Sequence, residues 1–531
     1  MKNTIKYFAR FIVETATPLA IGSGEKGLEV DRLIIRDANG LPYIPGSSLA
    51  GVIRHEIEKN PAFSSSEENH LFGYQGKEEG QGSRINFSPA KLMDADGVTV
   101  IEGLQIINFS EEYYSWFKKL PERDHVRITD KGVAKDKGKF DEELLHRGTK
   151  FAFEIDLEGT EDDLKIWNSI LKAIHQPFFR IGAGTRNGFG KLKILECRIA
   201  EFDLTKQDEL KGYLAKSTSL NSDTSSWKRF SLDDSEKGGS DWQHYQVDLT
   251  PENFFLFGAG FGDEDADMIQ KTERFIDWSE GTPKMGEKQT RTLISATSIK
   301  GAISHRVAYH YNLAMEKTIS NPYEVQKDIL PKVNLEESVD NFSYGVNIGE
   351  ITLSSDSDEW EKLNEEIDSL TFENFKSNSN EWKDFIQSSD ELCSRKVNKA
   401  LPLSPTGENN NAVKALFGYA KEDEDKTSGA RGNVIISDVY LDYSKSKEKV
   451  FSHVAIDRFT GGGINGALYQ EKVVNSNSFQ LDIYVLKTAL EDIKIKDAFE
   501  STLSDLVSGN LQLGGNTTKG HGAFTGNFQT S

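Results

Sequence analysis

Cysteine is nearly missing from these 531 residues: only Cys197 and Cys393 occur, far apart in the chain. Neither a disulfide framework nor a CxxC metal site can be built from them, and both read as packing residues. No stretch approaches the roughly 20 apolar residues that span a bilayer. The N-terminal Met1-Lys-Asn-Thr-Ile-Lys-Tyr-Phe-Ala-Arg10 scatters charge among its apolar residues and lacks the continuous apolar core of a secretory signal. The expectation is a cytoplasmic protein without membrane contact. Positive charge is short as well: 63 Lys and Arg face 84 Asp and Glu, a net charge of -21. Such a chain repels polyanions on average, so any contact with nucleic acid has to be local. One segment carries part of the excess, since Asp356 to Glu391 holds twelve acidic residues and three lysines.

What is present is a sequence that contains itself twice. The length exceeds the roughly 250–300 residues at which a single core stops growing, and a duplication fixes the division better than length does. Ile44–His55 matches Ile294–His305 without a gap. Leu71-Phe-Gly-Tyr74 returns as Leu416-Phe-Gly-Tyr419, each followed by a polar loop and a strand-like run at Arg84–Ser88 or Asn433–Ser437. His125-Val-Arg-Ile128 returns as His453-Val-Ala-Ile456, and the glycine-rich Ile181–Gly190 returns as Leu513–Gly522. The order is the same, but the offset grows after the first block, which requires an insertion in the second copy at about 311–411. Its aromatic residues among charges, Trp360, Phe372 and Trp382 among them, suggest amphipathic helices. Between the copies, Ser217 to Ser240 is rich in Ser, Asp and Gly, the composition of a flexible linker. The expected division is a first domain over 1–205, a linker over 206–240 and a second domain over 241–531.

Alternating or β-branched runs predict strands at Tyr7–Glu14, Phe151–Leu157, Lys191–Ile199 and Phe479–Val485. Apolar residues three and four apart predict helices over Ser48–Lys59 and Ser298–Leu313. Strands separated by single helices give an α+β class, with helices on one side of an antiparallel sheet, and a ferredoxin-like arrangement is its simplest form.

Two motifs carry chemistry. Pro45-Gly-Ser-Ser-Leu49 and Ala296-Thr-Ser-Ile299 place hydroxyl side chains at a helix start, where free backbone N–H groups attract anions. A serine there also serves as an ordinary cap. Gly182-Ala-Gly-Thr-Arg-Asn-Gly-Phe-Gly190 leads into Lys191, and glycine lets a main chain approach an extended polyanion closely. It runs into a strand, whereas a dinucleotide fingerprint opens a helix.

In combination, the P-G-S-S-L-x-G-x-x-R helix start, the L-F-G block and the terminal glycine-rich loop resemble the RAMP superfamily of CRISPR proteins, and within it the Csm3-like Cas7 branch. Two fused copies resemble a double-Cas7 subunit of a type III (III-D-like) effector complex. The resemblance implies two tandem ferredoxin-like, RRM-like domains with thumb β-hairpins and a helical insertion in the second. The thumbs correspond to His125 through about Arg147, and to His453–Thr460 followed by Gly466–Lys472, with Phe459 in the second. It implies a subunit that holds crRNA, meets complementary target RNA and works beside other Cas subunits (Cas10, Cas5, Cas7 and Cas11 types). Ser47, Ser48, Arg54, Arg186 and Lys191 in the first copy, and Thr297, Ser298, Lys300, Arg458 and Lys519 in the second, are expected near phosphates.

Csm3-like proteins cut target RNA with an aspartate in the loop after the first strand, and Asp31 occupies that position. Asp267 lies the same seven residues beyond Gly260 that Asp31 lies beyond Gly24, and is its expected counterpart. Both are expected to hold Mg2+. The recurring His55, His125, His305 and His453 fit no local metal motif and read as structural or RNA-stacking residues. Three other readings stand beside this one: a Cas6-like guide-processing ribonuclease, a backbone subunit that binds RNA without cutting it, and an acidic interaction protein.

Overall fold

A computed structural model describes the whole chain except residues 1–3, 28–29, 61, 77–78, 130–132, 234–235, 237–240, 316–405 and 421–428. The expected helical insertion and Cys393 therefore lie outside the described residues, apart from the insertion's two ends.

In the first copy, strand β1 (Ile5–Thr15) is followed by helices α1 (Gly46–Glu58) and α2 (Ser65–Phe72) and the short strand β2 (Ile85–Phe87). A hairpin, β3 (Glu122–Ile128) and β4 (Ala134–Glu143), precedes strand β5 (Lys150–Gly159), helix α3 (Leu164–Ile174) and strand β6 (Leu192–Asp203). The strands pair antiparallel in the order β6-β1-β5-β2. Strand geometry sends alternate side chains to one face, so Tyr7, Ala9, Phe11 and Val13 all enter the core. They meet Leu49, Ile53 and Ile57 of α1 and Ile170, Leu171 and Ile174 of α3, residues spaced to share one helix face.

The second copy repeats the plan. Strand β7 (Trp242–Pro251), helices α4 (Ala296–Ala314) and α5 (Asn411–Phe417), strand β8 (Val434–Ile436), hairpin β9 (Lys447–Ile456) and β10 (Gly463–Asn475), strand β11 (Phe479–Leu486), helix α6 (Ile493–Val507) and strand β12 (Phe524–Thr530) follow in the same succession. Their sheet runs β12-β7-β11-β8, the order of the first sheet, and it has its own core.

The segment expected to be a flexible linker is instead structured over much of its length. Helix Gln207–Ala215 and strand Lys228–Arg229, which pairs with β6, lie within it, and Leu220 and Leu232 are buried. The cause is on the outer face of β1. Phe8 and Arg10 are both nearly fully buried there. Phe8 packs on Tyr213 and Trp227, while Arg10 donates to the Ser222 carbonyl at 2.8 Å and pairs with Glu154 at 2.6 Å. The equivalent face of β7 carries His244, Gln246, Asp248 and Thr250 and needs no such cover. Composition reported the polarity of 206–240 but not the apolar surface waiting beneath it.

The copies are joined by more than chain connectivity. Ile276, from the second copy's sequence, enters the first core. Trp278 donates its indole N–H to the Gly148 carbonyl at 2.8 Å and lies under the Lys150 ammonium at 3.8 Å.

Candidate nucleic-acid interface

Four glycines of the two loops close onto their own copies. Gly182 and Gly514 have φ of 86° and 94°, and a Cβ on either would stand 2.3 Å from the Ala20 carbonyl oxygen or 2.5 Å from that of Leu256. Gly190 and Gly522 would each meet a carbonyl oxygen at 2.0 Å. The amides of Gly190 and Gly522 donate to the Pro18 and Phe254 carbonyls, both at 2.9 Å. At these four positions glycine is required by backbone packing within the copy, the reason L-residues are excluded there, and the close approach that the sequence offered to a polyanion is spent on the segment after β1 or β7.

The two hairpins rise beside these loops with matching bases. His125 stacks on Phe140 at 4.8 Å, and His453 on Tyr469 at 4.9 Å. Each imidazole reaches a buried glutamate on the return strand, His125 to Glu142 at 3.0 Å and His453 to Glu471 at 2.8 Å. Glu471 also meets His521 at 2.9 Å and accepts from Asn516, so the end of the glycine loop is tied to the hairpin. In the first copy Arg32 approaches Glu142 at 3.8 Å. His453 is hydrogen-bonded to its glutamate, whereas His125 meets its own only at ion-pair distance. Sequence inspection missed the glutamates, whose only signal is their place on the strand opposite each histidine.

Asp31 and Asp267 lie in loops set at equivalent places against the hairpins. The Asp141 amide donates to the Asp31 carboxylate at 3.3 Å, and the Gln470 amide donates to that of Asp267 at 2.8 Å. Asp141 and Gln470 both lie directly before the buried glutamate, and both aspartates are exposed. The surroundings differ. The Asp31 amide donates in return to the Asp141 carboxylate at 2.7 Å, so two carboxylates adjoin there. Beside Asp267 stands the Gln470 amide, and the nearby Asp263 and Asp265 are drawn to Lys472 at 2.5 and 3.0 Å. Oxygen-rich sites with one or two carboxylates suit Mg2+, so the first copy's donor set fits that ion better than the second's. Among the described residues, no cluster of three or more His, Cys, Asp or Glu is placed to hold a metal.

The helix starts also diverge. At α1 the N-cap position is Pro45, no side chain caps the helix, and Ser47 is exposed. At α4 the Ala296 amide donates to the Asp438 carboxylate at 2.8 Å, and Ser295 and Ser298 pair their hydroxyls at 2.7 Å. A protein carboxylate thus already occupies the anion position at the mouth of α4, beside Thr297 and Ser298. Asp438 in turn is bound by Arg123 of the first hairpin at 2.6 Å, and Arg123 also pairs with Glu273.

The remaining candidates spread over three regions. Arg54 is held inside its own copy by Glu68 at 2.5 Å and Asn69 at 3.0 Å, away from the glycine loop. Arg186 donates to the Gly432 carbonyl at 2.9 Å and Lys300 to Asn187 at 3.3 Å, so both sit where the copies meet. Burial holds Lys191 and Lys300 below the usual ammonium range. Arg458 and Phe459 are exposed at the tip of the second hairpin, and the Lys519 ammonium lies over the Tyr469 ring at 4.4 Å at its base. No helix among the described residues is long and apolar enough to cross a membrane.

No curated protein matches the chain. Residues 12–193 and 279–525, which include both helix starts, both hairpins and both glycine loops, match the RAMP superfamily, a match that carries the coarse reading of a CRISPR-associated RNA-binding subunit. The chain belongs to the RAMP superfamily, with two family regions in tandem.

Proposed function

We propose that the chain is a double-Cas7, Csm3-like backbone subunit of a type III CRISPR effector complex, which holds crRNA and cuts complementary target RNA. One observation carries this reading: each copy sets an exposed aspartate against the base of a long hairpin, at matching positions on matching strands. Both copies share one strand order, which supports a ferredoxin-like, RRM-like sheet and RNA held by backbone and shape while base pairing supplies sequence. The hairpins act as thumbs, with Phe459 at one tip.

In the cleavage step, Asp31 takes the proton of a ribose 2′-hydroxyl positioned for in-line attack. The 2′-oxygen bonds to the adjacent phosphorus, the P–O5′ bond breaks, and the departing oxygen is protonated from solvent, leaving a 2′,3′-cyclic phosphate and a 5′-hydroxyl. Mg2+, held by Asp31 and Asp141, would offset the charge that builds on the phosphate oxygens. Asp267, named as a second catalytic and metal-holding residue on sequence grounds, lacks the second carboxylate, which supports Asp31 as the principal cutter. The other partners are Cas subunits, and the net charge of -21 implies that basic neighbours complete the RNA groove.

The test is to sequence RNA that co-purifies with the intact complex, then assay cleavage of its complement. Loss of cutting in Asp31→Ala with assembly retained is expected. Unchanged cutting in Asp31→Ala and Asp267→Ala together would select a purely structural RNA-binding subunit, and cleavage of isolated repeat RNA by the chain alone would select a Cas6-like enzyme.

A further inference from the structure

Where the two copies meet, a cleft of about 220 Å³ opens between α1 and the second copy. That is below the roughly 300 Å³ at which pockets for drug-sized molecules begin, a size for a small group. Arg180, Arg186 and Arg431 all line it. In a chain with more acids than bases, three guanidinium groups would each be expected to find a carboxylate. Among the described residues, none of the three has one within ion-pair distance. Their partners are neutral oxygens instead: Arg180 donates to the Pro177 and Phe179 carbonyls and to Ser437, Arg186 to the Gly432 carbonyl, and Arg431 to Thr185 at 2.6 Å.

Arg180 is 4% exposed, and its Nε has no hydrogen-bond partner. Buried charge without a counter-charge is costly, and a donor left unpaired adds to that cost. Burial and the neighbouring Arg431 hold the Arg186 guanidinium down at about 9, and burial holds Arg180 at about 10. The one carboxylate lining the cleft, Glu56, pairs with Lys59 at 3.4 Å. Trp242 supplies a flat wall, 5.5 Å from the Arg186 guanidinium.

We propose that this cleft is a phosphate-binding site formed by the joining of the two copies, with Arg180, Arg186 and Arg431 as its donors. Planar guanidinium forks match phosphate oxygens in geometry and charge, and a dianion would supply the counter-charge that the protein withholds. The phosphate can belong to an RNA backbone crossing from one copy to the next, in which case the site rests on the RNA-binding reading, or to a free phosphate or mononucleotide.

The full-length chain is titrated at low salt with inorganic phosphate, with AMP and with an eight-nucleotide RNA, by calorimetry. Arg186→Gln and Arg431→Gln are each expected to weaken binding at least tenfold, and Arg431→Lys to restore part of it. Melting temperatures without ligand identify any variant that has merely lost its fold, and the comparison then rests on the lysine variant. RNA binding that falls with the arginines supports a seat for RNA phosphate. Phosphate and AMP binding that falls without any RNA binding supports a free-phosphate site and counts against the RNA reading alone. RNA bound equally by wild type and both glutamine variants, or no binding of any probe, overturns the proposal, the former leaving RNA recognition by the hairpins intact.

Discussion

Asp31 and Asp141 each donate an amide proton to the other's carboxylate, which sets two negative side chains against one another on an exposed surface. Two adjoining carboxylates of this kind are an oxygen donor set that suits a divalent cation. Asp31→Asn is therefore expected to lower target cleavage by at least a hundredfold, the scale of a lost general base, while RNA retention in the complex, measured by filter binding, changes less than twofold. His146 gives a separate signal. Burial pushes its imidazole down to about 4 from an ordinary value near 6.5, so the unfolded chain takes up a proton in that interval and the folded chain does not. Stability falls as pH drops from about 6.5 to 4, with a slope of about 1.4 kcal/mol per pH unit from this one residue. Urea melts across that range should show the slope, and His146→Gln should flatten it. At this scale the sequence told less than it appeared to. The spacing from Gly24 and Gly260 matches Asp31 with Asp267, in the loops after β1 and β7, yet what separates them, Asp141 against Gln470, lies more than a hundred residues away in the chain and is brought close only by the hairpin.

Elements were more legible, because their signals are local. Apolar spacing located α1 and α4 to within two residues at each end, and the alternating runs located β1, β5, β6 and β11. The failures arose where tertiary context decides. The glycine loops were read as open to a ligand, when Gly182 and Gly514 are fixed by carbonyls of the segments that follow β1 and β7, and Gly190 and Gly522 by carbonyls of Ile181 and Leu513 within the loops themselves. The segment 206–240 looked flexible because its polar residues outnumber the few, Tyr213, Leu220 and Trp227, that cover β1. Trp227→Ala removes a ring packed on both Phe8 and the Arg10 guanidinium. It is expected to lower the stability of the first copy by about 3 kcal/mol, the usual scale for deleting a large packed aromatic, read as an earlier thermal transition. At the other end of the molecule, Phe459 is 99% exposed on its hairpin tip. Phe459→Ala should leave the melting temperature unchanged and alter only target-duplex engagement, measured as a slower association with complementary RNA.

The whole molecule is two cores with a charged joint, and the joint determines whether it behaves as one unit or two. Arg123, at the base of the first hairpin, binds Asp438 and Glu273, and Asp438 also accepts the first amide of α4. Three elements of the second copy are thus fastened to one guanidinium of the first, with Arg123 and Asp438 both buried. Burial raises the Asp438 carboxyl above its ordinary range, against the pull of Arg123, while its two carboxylate partners lift Arg123 further. Removing one member of such a group costs more than the contact is worth, because the remaining charges stay buried without compensation, typically about 3–5 kcal/mol. Arg123→Met keeps most of the side-chain volume and removes the charge, so it should separate the melting of the two copies into two calorimetric transitions where the wild type shows one. The double variant Arg123→Met with Asp438→Asn removes the positive charge and one buried negative charge and keeps an acceptor for the Ala296 amide, and should recover more than half of the loss. If both variants melt as the wild type does, the joint is held by the apolar contacts of Ile276, Trp278, Phe178 and Trp242, and the ion pairs fix only the angle at which one sheet meets the next.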